Sequence, residues 1–294
     1  MLSVIIPALN EEDIIKETIG SIRTPLKKAN IIHEIIVIND GSSDHTGKIA
    51  LECGVEVITH PKPSGYGKSL KDGILKAQYD LIAITDADGT YPNDRLLDLY
   101  NIVIKEGYDM AVGARTGKAY QGTFLKMPAR KIFLWLSEYA TGEKIDDINS
   151  GLRVFKKEIP LGCWNVISNS FSFTTTITLA AFSKGYFVKY ISIDYHKRIG
   201  KSHVRYWRDT LRSFQIIVEN ILYYNPLKLF LLLVNTSLIV SLLSGGIYII
   251  VETPKIFNFF GNLSVYSFAS AIVVAGIGLL ADLVRISKRM DDKK

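Results

Sequence analysis

The chain has 294 residues, a net charge of +6 and 48% hydrophobic residues, enough for one large α/β domain plus something smaller. Its two cysteines, Cys53 and Cys163, have no partner at metal-ligand spacing, which excludes a disulfide framework and a thiolate metal site and leaves reduced, structural thiols. The mean hydropathy of +0.17 is high for a soluble protein, and the excess is local to the C-terminal third.

The N-terminal segment MLSVIIPALNEE lacks a basic n-region and a cleavage site, so no signal peptide is expected. LSVIIP reads as a strand ending at Pro7. EEDIIKETIGSIRTPL follows with apolar residues at helical spacing (Ile14, Ile15, Ile19, Ile22, Leu26), and Glu11, Glu12 and Asp13 sit at its positive N-terminal end. HEIIVIND is a nearly all-apolar strand, as expected when both faces are covered. GSSDHTGKIALECG reads as a turn and helix, VEVITH as a strand, GKSLKDGILKAQ as a helix and DLIAITDAD as a strand. This alternation predicts a mostly parallel sheet. Ligands of open α/β sheets bind beyond the carboxyl ends of strands, so IPALNE, VINDGSSD and ITDADG outline one site.

Asp86 and Asp88 stand two residues apart, and on a strand such residues point the same way. Both carboxylates can then meet one hard cation such as Mg²⁺ or Mn²⁺, a type commonly shared with phosphates. The alternative is a solvated Asp-Gly turn. The calcium-loop pattern fails, because Tyr91 and Leu97 stand where Gly and Glu are needed. Asp40, before GSSD, is either a helix cap or Asx-turn or a carboxylate for a nucleobase or ribose. GYGKSLKDG lacks the G-x-x-x-x-G-K-[ST] spacing of a phosphate loop; its Lys68 either balances the acids or touches a phosphate, or is a solvated loop lysine. Arg115, Arg130, Arg153, Arg198 and Lys201 add positive charge downstream, and Arg grips phosphate oxygens in a bidentate fork. No nucleic-acid-binding module is recognisable.

ARKIFLWLSEYA and WRDTLRSFQIIVENILYY read as basic amphipathic helices with interfacial aromatics, suited to an anionic membrane surface. Leu229 to Val251 gives 23 residues without a charge, and Leu263 to Ala281 gives 19 more. At about 1.5 Å per residue, each crosses a hydrocarbon core of roughly 30 Å as a helix. Basic residues flank the pair (Lys228 and RYWRDTLR before, Arg285, Lys288 and Arg289 after), while the connector ETPKIFNFFGN holds one Lys. The positive-inside bias therefore keeps the N-terminal part and both termini cytoplasmic.

In order, IPALNEE, VINDGSSD, GYGKSLKDG, ITDADGTYP, GARTG, DINSGLRVF and RIGKSH resemble the family 2 glycosyltransferases with a GT-A fold, in the branch of dolichyl-phosphate mannose synthases and polyprenyl-phosphate glucosyltransferases. The resemblance covers roughly residues 2–204. It implies a Rossmann-like, mostly parallel sheet with helices on both faces, interfacial helices and a C-terminal two-helix hairpin: a catalytic domain at 1–204 with an interfacial helix about 130–141, a juxtamembrane helix at 205–226, the hairpin at 227–284 and a basic tail at 285–294.

It also implies that Pro7, Leu9, Glu11 and Asp40 hold the nucleoside, with Asp86 near the ribose and diphosphate. Asp88, with Asp86 and Thr90, would carry Mg²⁺ or Mn²⁺. Arg115 and Arg130 would grip the acceptor lipid phosphate, and Arg198, with Lys201 and Lys68, the donor phosphates. The chain departs from some relatives at Thr90, where they have a Gln ligand, and at Leu9, where they have an aromatic residue. The Q-x-x-R-W motif of processive synthases is absent. The implied partners are a GDP- or UDP-linked sugar, a polyprenyl or dolichyl phosphate and membrane lipids. Self-association of the hairpin is left open. Transfer to a hydroxyl acceptor, with Asp146 or Asp147 of KIDDINSG as base, is the alternative chemistry.

Overall fold

The computed structural model describes residues 1–117, 127–170, 172–196, 206–250 and 253–291, with the side chains of 127–130, 206–213 and 288–291 left aside. The chain forms two compact units, Met1–Ile217 and Val218–Lys294.

The first unit is built on a seven-stranded sheet in the order β3-β2-β1-β4-β6-β5-β7. The strands are β1 Leu2–Ala8, β2 His33–Asn39, β3 Glu56–Thr59, β4 Leu81–Ile84, β5 Met110–Thr116, β6 Arg153–Lys156 and β7 Val188–Asp194. All neighbours are parallel except at β6, which runs against both β4 and β5. The mostly parallel reading therefore holds. The carboxyl ends of six strands and the amino end of β6 share one edge.

The central strands are apolar throughout because helices cover both faces. On one face Val4, Ile6, Val37 and Ala83 pack with Ile15, Ile19 and Ile22 of α1 (Ile15–Lys28) and with Leu99 and Ile102 of α4 (Leu96–Lys105). Each such aliphatic side chain stabilises the fold by about 1.5–3 kcal/mol on burial. Between these helices lie α2 (Thr46–Glu52) and α3 (Tyr66–Lys76). Helix α3 covers the other face, where Gly73 lies against Ile5 and Ile38. Helices α5 (Met127–Thr141), α6 (Glu158–Gly162) and α7 (Phe173–Ser183) complete the elements before β7. Cys163 is buried and its thiol is pushed up to about 11 by that burial, consistent with an inert thiol.

The strand expected to stop at Pro7 runs to Ala8. A proline is tolerated there for a local reason. The Thr85 N–H donates to the Ile5 carbonyl (3.3 Å), so odd residues of β1 face β4, and the β1–β4 pairing ends at Ile5 opposite Ile84. The missing N–H of Pro7 falls beyond that last pair. The larger difference is at DLIAITDAD, where β4 stops at Ile84 and leaves Thr85–Asp88 beyond the strand.

Helix α8 (Tyr206–Tyr224) contains the division between the units. The second unit continues as α9 (Pro226–Ile250) and α10 (Pro254–Asp291). Both are long and apolar enough to cross a membrane, with mean hydropathy of 2.0 and 2.1 and only 11% of each apolar window buried. A core helix of a soluble protein would be mostly covered. The pair packs closely as a hairpin: Ser241 Oγ donates to the Ser264 carbonyl and Ser264 Oγ to the Ser241 carbonyl, both at 2.9 Å.

Candidate active site

The first part of the sheet edge is acidic. The turn after β1 is stitched to the turn after β2. Asn10 N–H donates to Ser42 Oγ (3.0 Å), Glu11 N–H to Thr46 Oγ1 (2.8 Å) and Glu12 N–H to Asp44 Oδ2 (3.2 Å). Asp44 also accepts from Thr46 N–H at the start of α2 (3.0 Å). Burial alone would raise its pKa, but the bonds from Thr46 and Glu12 outweigh that and hold it below the usual range. Pro7 and Leu9 are half-buried here and Glu11 is buried.

Asp40 follows β2 directly and is buried. Its Oδ1 accepts from Ser64 N–H (2.8 Å) and His60 Nδ1 (2.7 Å), and its Oδ2 from Gly65 N–H (2.9 Å). These donors overcome the opposing effect of burial and hold the carboxyl below its ordinary range. Asp40 is thus the anchor of the connector that leads into α3.

Asp86 and Asp88 were expected on one face of a strand. They lie instead in the turn beyond β4, because the chain leaves the sheet after Ile84. Thr85 Oγ1 turns to Asn93 (2.8 Å), Asp86 Oδ1 accepts from the Tyr66 hydroxyl (2.9 Å), and Asp88 Oδ1 accepts from Thr90 N–H (3.2 Å) and Thr90 Oγ1 (2.6 Å). The two carboxylates still share a neighbourhood, since both act electrostatically on Tyr195. Gly151 makes room for Asp86: a Cβ there would stand 2.8 Å from Asp86 Oδ1. Its N–H donates to the Tyr91 hydroxyl (2.7 Å), and the Tyr91 ring meets Tyr195 edge-on at 5.3 Å. Burial, with the Asp86 charge beside it, holds the Tyr66 phenol well above its usual range, so it remains a donor.

The second part of the edge pairs opposite charges. Arg115, near the end of β5, grips Asp147 by a fork, Nε to Oδ2 at 2.7 Å and Nη2 to Oδ1 at 2.9 Å, with its guanidinium 5.4 Å from the Tyr195 ring centre. Asp147 is 2% exposed. Burial pushes its pKa up, but the Arg115 charge and hydrogen bonds outweigh that and hold it below the ordinary carboxylate value.

Arg153 had been read with the phosphate-gripping arginines, and here the structure corrects the sequence. The side chain is fully buried and donates to the carbonyls of Ser150 (2.7 Å), Ile148 (3.3 Å) and Thr174 (3.2 Å) and to Thr178 Oγ1 (2.9 Å). It knits the DINSG turn to α7 and is closed to any ligand.

Lys68 lies in the first turn of α3, and its ammonium pairs with Asp72. Its N–H donates to the Asn169 carbonyl (2.9 Å), so the helix start is packed against protein. Arg130 falls within α5; Arg198 and Lys201 lie outside the described residues.

Sequence reasoning missed Tyr66, Tyr91, Tyr195, Gly151 and His60. Tyrosines in motif segments carry no distinctive spacing. His60 did offer a signal, since it follows VEVIT as Asp40 follows IIVIN.

Among the described residues no three His, Cys, Asp or Glu side chains gather as a metal site. In the turn after β4, Asp86 and Asp88 offer two hard oxygen donors, a set that fits a divalent cation sharing its remaining positions with phosphate and water.

The chain is similar to proteins already known. Residues 3–159 match the family model described as glycosyl transferase family 2. The chain is 30% identical over 226 residues to the low-salt glycan biosynthesis hexosyltransferase Agl6 of Haloferax volcanii, covering 74% of this chain and only about half (53%) of that relative. It is 27% identical to a dolichyl-phosphate hexose transferase of the same organism, covering 68% of this chain and 85% of the relative. With the polyprenol monophosphomannose synthase of Mycolicibacterium smegmatis it shares 28%, covering 66% and 77%. In fold it is similar to glucosyl-3-phosphoglycerate synthase of Mycobacterium tuberculosis, solved with Mn²⁺, UDP-glucose and phosphoglyceric acid (TM-score 0.58, 17% identity, 75% of this chain and 79% of that one). The match spans more than half of the sequence, and the chain belongs to glycosyl transferase family 2.

Proposed function

We propose that this hexosyltransferase moves a hexose from a nucleotide-diphosphate sugar, GDP-mannose or UDP-glucose, to a polyprenyl or dolichyl monophosphate, with inversion. The observation that carries the reading is the gathering of Asp40, Asp86, Asp88 and the Arg115–Asp147 fork on one sheet edge. Relatives named for dolichyl-phosphate and polyprenol chemistry support the acceptor class.

In this reading Pro7, Leu9, Glu11 and Asp40 line the nucleoside end and Asp86 the ribose and diphosphate. Asp86 and Asp88 would hold Mg²⁺ or Mn²⁺, and Thr90 stands beside them with its hydroxyl fixing Asp88. The Mn²⁺ in the fold relative supports a divalent ion. When bound, the ion neutralises the diphosphate as it departs.

An acceptor phosphate monoester has a second pKa of about 6, so it is largely dianionic at neutral pH and attacks without a base. Its oxygen bonds to the anomeric carbon while the carbon–oxygen bond to the donor diphosphate breaks, and the nucleoside diphosphate leaves with the electron pair. Arg115 and Arg130 would bind the acceptor phosphate, with Lys68, Arg198 and Lys201 on the donor phosphates. A hydroxyl acceptor needs a general base. Asp147 is poorly suited, because Arg115 holds it as a weakly basic carboxylate. Helices α9 and α10 would anchor the catalytic unit at the headgroup, with both termini cytoplasmic by the basic flanks.

The test is incubation of the full chain in lipid or detergent with labelled nucleotide sugars and polyprenyl phosphate, with and without Mn²⁺. A metal-dependent glycolipid that releases sugar under mild acid is expected. Product formed only with sugar or diacylglycerol acceptors, and lost in Asp147→Asn, would select the hydroxyl-acceptor reading instead.

A further inference from the structure

Strands β2 and β3 run parallel with Asn39 opposite Thr59, so the next residue of each strand brings Asp40 beside His60. The His60 N–H donates to the Asn39 carbonyl (2.9 Å) and fixes the ring at the strand end. Its Nδ1 lies 2.7 Å from Asp40 Oδ1 and its Nε2 3.0 Å from Asp72 Oδ2 on α3. The His60 and Asp40 side chains are 10% and 7% exposed. A carboxylate oxygen only accepts, so an imidazole between two of them satisfies both when each ring nitrogen carries a hydrogen; the neutral ring serves only one. Lys68 pairs with the other oxygen of Asp72 from one turn away. The charged groups facing the ring are therefore Asp40 from β2 and Asp72 from α3, with Lys68 behind Asp72.

Asp40 Oδ1 also accepts from the Ser64 amide and Oδ2 from the Gly65 amide, and the next residue, Tyr66, gives its hydroxyl to Asp86. The connector is pressed onto the strand end, since a Cβ at Gly41 would stand 2.5 Å from the Lys62 carbonyl carbon. A hydrogen-bonded path thus crosses the sheet edge from α3, past β2, to the turn after β4.

We propose that His60 is a positioning residue: its ring ties Asp40 to Asp72 and, through the Ser64 and Gly65 amides, sets the Tyr66 hydroxyl and hence the place of Asp86. The proposal deepens the function given above and rests on the role of Asp86 there.

Two substitutions separate the arms of the ring. An Asn at position 60 can place its amide N–H where Nδ1 stands and keep the Asp40 bond; a Gln reaches toward Nε2 and keeps the Asp72 bond. His60→Gln is expected to lower kcat/KM about tenfold or more, and His60→Asn less. Tyr66→Phe is expected to lower it about as much as His60→Gln, and the double variant His60→Gln/Tyr66→Phe no further than the more damaging single change, as for two links of one chain. Amide hydrogen exchange over residues 60–67, followed by mass spectrometry without substrate, is expected to quicken in His60→Gln and not in Tyr66→Phe, with β5 and β7 unchanged in all variants. If His60→Gln opens the whole sheet, His60→Asn, which gives up only the Asp72 bond, takes its place, and a smaller loss of kcat/KM that still does not multiply with Tyr66→Phe is expected, with a smaller quickening of exchange at 60–67.

Multiplying effects in the double variant, equal effects of Asn and Gln, or unaltered exchange at 60–67 overturns the strap. A wild-type chain that turns over no donor overturns the function proposed above, and the exchange measurement then decides the strap alone.

Discussion

From β2 to β4 the sheet edge carries carboxylates, and their donors among the described residues include the Ser64 and Gly65 amides and His60 on Asp40, the Tyr66 phenol on Asp86 and Thr90 on Asp88. From β5 to β7 the pattern reverses. Arg115 is answered by Asp147, and Arg153 is sealed among carbonyls. Amide and hydroxyl donors hold a carboxylate in one place, so the first half is organised around positioned acids. In the second half the Arg115–Asp147 fork and the buried Arg153 also hold shape. The comparison separates residues whose loss should stop the reaction from those whose loss should loosen the fold.

Asp88→Ala tests the first half most directly. Turnover should fall by about three orders of magnitude or more, as when a group stabilising transition-state charge is removed, with thermal unfolding little changed. Retained activity would remove Asp88 from the chemistry. Arg153→Met probes the second half. It removes the guanidinium that bonds the Ser150 and Ile148 carbonyls and should lower stability by about 3 kcal/mol in thermal unfolding of the full chain.

Gly151→Ala crosses from one half to the other. Its new methyl meets Asp86 at 2.8 Å. A displacement of that order should cost about 10–100-fold in kcat while circular dichroism stays unchanged. Normal kcat would mean that Asp86 can move without consequence.

Asp147→Asn is the mildest. The native carboxyl is depressed, so its contribution to stability is present above the ordinary carboxylate value of about 3.9 and is lost as pH falls through the lower folded value. The variant should be about 1–2 kcal/mol less stable at neutral pH and show a shallower loss on acidification. Asp40 and Asp44 are depressed in the same sense and keep part of that slope. Identical acid unfolding curves would show that the fork contributes nothing to folding.

The parallel strands at this edge were legible because each apolar run ends in a polar turn, and local pattern is what a sequence displays. The reversal of β6 was not, since RVFK looks alike in either direction and only its partners at β4 and β5 decide. The Asp86–Asp88 pair was found by its spacing, but its geometry was misread, because β4 stops before the acids. Arg153 was misassigned because a fully buried arginine satisfied by carbonyls from three separate residues is a tertiary fact. The Arg115–Asp147 fork joins residues 32 apart, and each had been assigned to a different reaction.

The reciprocal serine bonds between α9 and α10 bear on the bilayer anchor proposed above. Lipid tails give two apolar helices little reason to prefer one alignment over another, so packing and polar contacts decide it. Ser241 and Ser264 supply a matched pair of bonds that a slip of one turn, about 5.4 Å, would break together. The hairpin is therefore indexed like a locked slide rule. In a bilayer thicker or thinner than it prefers, it should answer by tilting as a pair rather than by sliding one helix past the other.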